Sequence, residues 1–232
     1  MDKVLVVAAH PDDEVLGCGA TVARHVNNGD HVSILIVGEG SASRDNHKSE
    51  YIETLKRSAQ EASAILGVKS LYFGGLSDNR MDAYDRLTVI KLIEKYIQDI
   101  CPSIVYTHHV GDVNIDHQVV HHSVVTACRP LPGLCVRRLL FFEVVSSTEW
   151  QLSGSGATFQ PNLYVDISET LEHKLRALSA YRSEMRPWPH ARSSKAIENL
   201  ALWRGSNAGV TAAESFMIGR EIVRLSDDRD ID

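Results

Sequence analysis

Val4-Leu5-Val6-Val7-Ala8-Ala9-His10-Pro11-Asp12-Asp13-Glu14-Val15-Leu16-Gly17-Cys18-Gly19 is the stretch that decides the fold of this chain. Its first six residues are apolar without a break, the pattern of a strand buried on both faces of a parallel sheet. The run stops at His10, and apolar residues then recur at helical spacing (Val15, Leu16, Ala20, Val22, Ala23). One imidazole and three carboxylates therefore occupy the short turn at the carboxyl end of the first strand, where open α/β sheets bind ligands. Pro11 removes a backbone donor and holds the turn. An acid at a helix start also serves as a cap, which accounts for one of the three. Three acids beside a histidine point to metal or catalytic chemistry.

Further along, His31 to Gly38 (HVSILIVG) reads as a second buried strand, and Gly38 to Ser43 as a polar loop at the same sheet end. A helix is expected from Ser49 to Leu66, stopped by Gly67. A short strand, Ser70 to Phe73, runs into a loop holding Asp78; a helix spans Leu87 to Ile100. A fourth strand, Ile104 to Thr107, leads into His108-His109-Val110-Gly111-Asp112-Val113-Asn114-Ile115-Asp116-His117. Strands alternating with helices predict an α/β, Rossmann-like, doubly wound and mostly parallel sheet with right-handed crossovers. That topology brings the two histidine/aspartate clusters to one edge. Beyond Ala127 the pattern loosens: late strands at Leu139 to Val145 and Leu163 to Val165, then helices at Ser168 to Ser183, Ser194 to Trp203 and Thr211 to Leu225. With no repeat and no linker, residues 1–232 read as a single domain with a helical C-terminal extension.

Composition narrows the function. At 44% hydrophobic and 23% charged the chain is ordinary globular protein, and a net charge of -6 offers no basic excess for nucleic acid. No apolar run reaches the length of a transmembrane segment, and a strand beginning almost at once leaves no room for a secretory signal. Cys18, Cys101, Cys128 and Cys135 show no CxxC spacing and read as buried thiols of a reducing compartment, the cytoplasm.

A catalytic metal site needs three protein ligands and an open position for water. His10 and Asp13, three apart across the strand-to-helix turn, can point at one spot, and His117 after the fourth strand is the natural third. Imidazole plus carboxylate suits Zn²⁺ first. Asp12 is placed to take a proton from bound water. His117 with His121, at i,i+4 on one helix face, is an alternative zinc pair, weaker because the metalloprotease glutamate is missing.

His10-Pro11-Asp12-Asp13-Glu14 at a strand end, with Asp116-His117 after a later strand, resembles the PIG-L/LmbE-like zinc-dependent deacetylases of N-acetylglucosaminyl compounds. The likeness extends to Arg57 and Glu61 with Leu66-Gly67, and to Asp78. It implies one Zn²⁺ per chain on His10, Asp13 and His117, Asp12 as general base, and an N-acetylated amino sugar or glycoconjugate as substrate. It also implies Arg57 and Asp78 as substrate contacts and makes a homo-oligomer plausible. One departure stands out. Many members carry a histidine three residues before the last ligand, and this chain has Asn114 there. An amide can donate to an oxyanion but cannot supply a proton, so the acid becomes Asp12, His109 or His108, with His109 first.

The same residues allow other readings. Arg57 and Glu61 also read as a surface pair, and Asp78 as a turn former. Arg186, Trp188, His190 and Arg192 suit either a sugar site or a subunit interface. Rival functions are hydrolysis of another amide or ester, or a sugar-binding module without turnover. A Rossmann nucleotide binder lacks its G-x-G-x-x-G after the first strand.

Overall fold

The computed structural model describes residues 1–39 and 48–223. Most of the polar loop expected after the second strand, and the end of the expected last helix, lie outside them. Seven strands form one sheet in the order β3-β2-β1-β4-β5-β7-β6. They are β1 (Lys3–Ala8), β2 (His31–Gly38), β3 (Ser70–Leu76), β4 (Ile104–His108), β5 (Arg138–Phe142), β6 (Leu163–Asp166) and β7 (Ala213–Glu221). The helices are α1 (Asp13–Asn27), α2 (Lys48–Leu66), α3 (Arg86–Ile100), α4 (Ile115–Ala127), α5 (Leu171–Leu178) and α6 (Ser194–Ala208).

Strands β1 to β5 pair in parallel, and β1 lies between β2 and β4. The winding reverses there, so the loops after β1 and β4 open into the crevice where such folds bind ligands. Alternation along β1 sends Val4 and Val6 into one core, with Val22 of α1 and Ala59 of α2. Leu5 and Val7 enter the other, with Ile93 of α3 and Val124 of α4. Both faces are covered, which is why β1 could be apolar throughout.

The C-terminal expectation needs correction. The region read as a helix from Thr211 to Leu225 holds strand β7, antiparallel to both β5 and β6. Phe216 is fully buried between those partners, and pairing overrides a sequence compatible with either state. Gly219 was the available signal: a Cβ there would meet the Phe141 ring at 2.5 Å, a close approach typical of strand glycine. The helix expected from Ser168 to Ser183 is α5 alone. The strand expected to reach Val145 ends at Phe142, where the Val144 N–H turns to the Thr148 hydroxyl.

Cysteine usage is corrected as well. Cys101, the left-handed cap of α3, and Cys135, just before β5, form a disulfide with Cα atoms 5.5 Å apart; Cys18 and Cys128 are buried thiols. Among the described residues no helix is long and apolar enough to cross a membrane.

Helix α1 breaks at Cys18 (φ -150, ψ 22), between Gly17 and Gly19. A break frees backbone groups that must find other partners. Glu214 of β7 accepts the N–H groups of Ala20 (3.2 Å) and Thr21 (2.7 Å). Lys174 of α5 donates to the Leu16 carbonyl (2.8 Å) and to Glu214 (2.6 Å). The C-terminal elements thus repair the helix that carries Asp13 and Glu14. Because Lys174 and Glu214 are both buried, losing one leaves the other charge uncompensated. Glu214→Ala is expected to lower unfolding stability by about 3–5 kcal/mol, read from a denaturant midpoint. Lys174→Met combined with Glu214→Gln, which removes both charges but keeps an acceptor, is expected to recover much of that loss.

Candidate active site

The loops after β1, β3, β4 and β5 converge as the topology requires. His10 leaves β1 and its backbone N–H donates to Asp13 Oδ2 at 2.8 Å. The same oxygen lies 3.2 Å from His10 Nδ1, 3.1 Å from His117 Nε2 and 3.6 Å from His108 Nε2. Asp13 Oδ1 is buried with no hydrogen-bond partner among the described residues.

His10 and His117 are each held from behind by carboxylate. His10 Nε2 meets Asp78 Oδ1 at 2.9 Å and Asp116 Oδ2 at 3.0 Å. His117 Nδ1 meets Asp112 Oδ2 at 3.0 Å. Those carboxylates are themselves fixed. Asp116 accepts the N–H groups of Asn79 (2.7 Å) and Met81 (3.0 Å), and Asp112 accepts the hydroxyls of Ser147 and Thr148. Carboxylates set behind imidazoles in this way orient metal-ligating histidines.

The protonation pattern follows from burial and charge. Burial opposes a charged His10, but its bonds with Asp116, Asp13 and Asp78 prevail and hold it well above the ordinary imidazole range. His117 is likewise opposed by burial, yet the charge of Asp13 and the bond with Asp112 lift it to about 9. For Asp13, burial works against ionisation and the neighbouring His117 and His108 overcome it, holding the carboxyl well below its usual value. The two imidazoles are oriented on Asp13 Oδ2 by fixed carboxylates, Asp13 Oδ1 is left over, and a metal ion binding there would take the place of the imidazole protons, so the donor set suits one.

Among the described residues, three overlapping groups could hold one: His10, Asp13 and His117; His108, Asp112 and His117; His10, Asp78 and Asp116. The second is weakened because His108 Nε2 accepts the Ala9 N–H at 2.8 Å, which occupies the lone pair a metal would need. The third would take from His10 the proton shared with Asp78 and Asp116. His121 points elsewhere, its Nδ1 on the His108 carbonyl, and burial lowers it to about 4.

Asp12 sits beside the cluster in a left-handed conformation (φ 111), buried, as the residue before α1. Burial pushes its carboxyl well above the usual range, Arg192 pulls it back, and Asp13, Glu184 and Glu14 push it up again. Its N–H donates to Glu14, which also accepts the Tyr181 hydroxyl and is raised by burial to about 7. Of the four non-glycine residues at positive φ among the described residues, Asp12, Asn79 and Ser146 line this site; backbone strain concentrates where function over-determines geometry.

The other expected residues divide. Asp78 joins the cluster, behind His10. His109 is buried, its Nε2 on the Ala157 carbonyl at 2.9 Å and its Nδ1 without a partner. Asn114 caps α4, its Oδ1 accepting the N–H groups of Asp116 (2.8 Å) and His117 (3.4 Å). Arg57 is exposed on α2, and its guanidinium bonds Thr54. Arg192, undecided between sugar site and interface, reaches Asp12 at 2.7 Å. Asp112, Ser147 and Thr148 carried no sequence signal beyond the proximity of Asp112 to His117.

A family model described as PIG-L, GlcNAc-PI de-N-acetylase, matches residues 5–128, more than half of the 232-residue chain. The chain belongs to the PIG-L family. It is 29% identical to a probable N-acetyl-alpha-D-glucosaminyl L-malate deacetylase 2 of Bacillus cereus, across 78% of this chain and 83% of that protein. It is 28% identical to the diacetylchitobiose deacetylase of Thermococcus kodakarensis, across 91% and 81%. The crystal structure of GalB, the 4-carboxy-2-hydroxymuconate hydratase of Pseudomonas putida KT2440, superposes with a TM-score of 0.78 at 19% identity, covering 97% of this chain and 99% of that one. At that identity the likeness is one of fold.

The cap has a consequence of its own. Asn114→Ala is expected to cost about 1 kcal/mol of stability, whereas Asn114→Ser, which can still cap, is expected to stay close to the parent in a thermal or denaturant melt.

Proposed function

We propose that this chain is a zinc-dependent hydrolase that removes the acetyl group from an N-acetylated amino sugar or its glycoconjugate. The observation that carries the proposal is the convergence of His10 Nδ1 and His117 Nε2 on one oxygen of Asp13, with Asp12 alongside. His10, Asp13 and His117 are the ligands, one zinc per chain, and Asp78, Asp116 and Asp112 hold the two imidazoles. Zinc, when bound, polarises the acetyl carbonyl and lowers the pKa of water.

The chain's own groups supply the rest. Asp12 takes the proton of the attacking water. Asn114, its Oδ1 anchored on α4, has its amide plane fixed, so that Nδ2 can donate in a constant direction to the tetrahedral oxyanion. The amine that leaves needs a proton. His108 is unsuited to give it, since Nε2 accepts the Ala9 N–H and burial lowers its pKa, helped by His117. His109 keeps that role. Its Nε2 is fixed by Ala157, which leaves Nδ1 to carry the proton. Asp78 enters the proposal as a support of His10 in place of a sugar contact.

The fold also serves a hydratase, so the site's charge matters. Asp12, Asp13, Glu14, Asp78, Asp112 and Asp116 crowd one small region, and the guanidinium of Arg192 is committed to Asp12. Such a field favours an uncharged sugar amide over a polycarboxylate. The expectation of a cytoplasmic enzyme keeps the support of the buried thiols Cys18 and Cys128 and loses that of Cys101 and Cys135.

The experiment is amine release from a panel of N-acetylated amino sugars and glycosides. Zinc-loaded protein should release amine and chelated protein should not; inactivity on the whole panel would overturn the proposal. Asp12→Asn is expected to keep its zinc and lose about 10²–10⁴ in turnover. Loss of zinc instead would make Asp12 a ligand.

A further inference from the structure

We infer that Arg192 is a positioning residue for the reaction, clamping the Asp12 carboxylate from a part of the chain outside the family match; the inference rests on the reading of Asp12 as general base. Arg192 Nη1 donates to Asp12 Oδ2 at 2.7 Å, and Nε donates to Ser146 Oγ at 2.7 Å. Two bonds from different edges of one planar group fix its plane as well as its place, which a lysine ammonium cannot do. Glu184 Oε2, 3.6 Å from Nη1, is a third contact, and the Tyr51 hydroxyl of α2 bonds Glu184 in turn.

The arrangement reaches beyond a local ion pair. Asp12 and Ser146 both hold positive φ, 111 and 66, without being glycine. One guanidinium joins these two strained turns, one after β1 and the other after β5. The loop that delivers it is closed on itself. The Arg186 N–H bonds the Arg192 carbonyl at 3.2 Å, the His190 N–H bonds the Pro187 carbonyl at 3.1 Å, and the Arg192 N–H bonds His190 Nδ1 at 3.0 Å. A surface salt bridge has no use for such a mount. A base that must face one water in one direction does, because an error of about 1 Å in placement can cost about 10²-fold in rate.

The test compares Arg192→Ala, Arg192→Lys and Ser146→Ala with the parent, each zinc-loaded, on the best substrate of the panel. Arg192→Ala is expected to keep its zinc, to lose about 10²-fold in kcat with little change in KM, and to regain activity when guanidinium is added. A merely structural role would not respond to guanidinium. Arg192→Lys, which keeps the charge without the fork, should fall between Arg192→Ala and the parent, and Ser146→Ala should lower kcat less. A kcat near the parent's, a loss confined to KM, or no rescue would overturn the inference. Should the parent prove inactive on every sugar, the parent reading falls by itself. The crystal structure of Arg192→Lys then decides the clamp: a displaced Asp12 carboxylate supports it, and an unmoved one overturns it.

Discussion

Asp13 Oδ2 is the atom on which the site depends. It accepts the His10 N–H and faces three imidazoles from within 3.6 Å, on a side chain fully removed from solvent. Burying a carboxylate costs several kcal/mol unless other groups compensate it. Here the compensation has layers: imidazoles around Asp13, carboxylates behind the imidazoles, backbone N–H groups and hydroxyls behind the carboxylates. These groups come from the loops after β1, β3, β4 and β5 at the carboxyl edge of the sheet, so the sheet order itself is a condition of the arrangement. Without β1 beside β4, Asp116 would not meet His10.

The C-terminal third, from β6 onward, completes this edge. Lys174 and Glu214 satisfy the backbone freed by the break in α1, and Tyr181 supports Glu14, whose carboxylate holds the Asp12 N–H. Arg192 reaches Asp12 itself. The family match ends at residue 128, yet the turn it identifies is held in shape by residues far beyond it.

That division explains what could be read from the sequence. The β1–α1 turn was legible because period and polarity change together within a few residues. His31 to Gly38 was legible because a strand covered on both faces is continuously apolar. The meeting of His10, Asp13 and His117 followed from strand ends brought to one edge. Asp116 was visible only as the neighbour of His117; its reach to His10 depends on the β3 loop that supplies the Asn79 and Met81 N–H groups. Arg192, Ser146, Ser147 and Thr148 act through bonds to residues distant in sequence, which leave no spacing to detect. β7 was misread because its partners, β5 and β6, decide its state. Arg57 was named from its likeness to the family pattern, and its exposed place on α2 beside Thr54 depends on the helix it stands on.

The most direct measurement is an anomalous difference map at the zinc absorption edge from crystals of the purified protein. The account predicts one peak per chain, about 2.0–2.2 Å from His10 Nδ1, an Asp13 oxygen and His117 Nε2, with Asp12 outside the coordination sphere. A crystal without such a peak, or one with its peak among His10, Asp78 and Asp116, would contradict it.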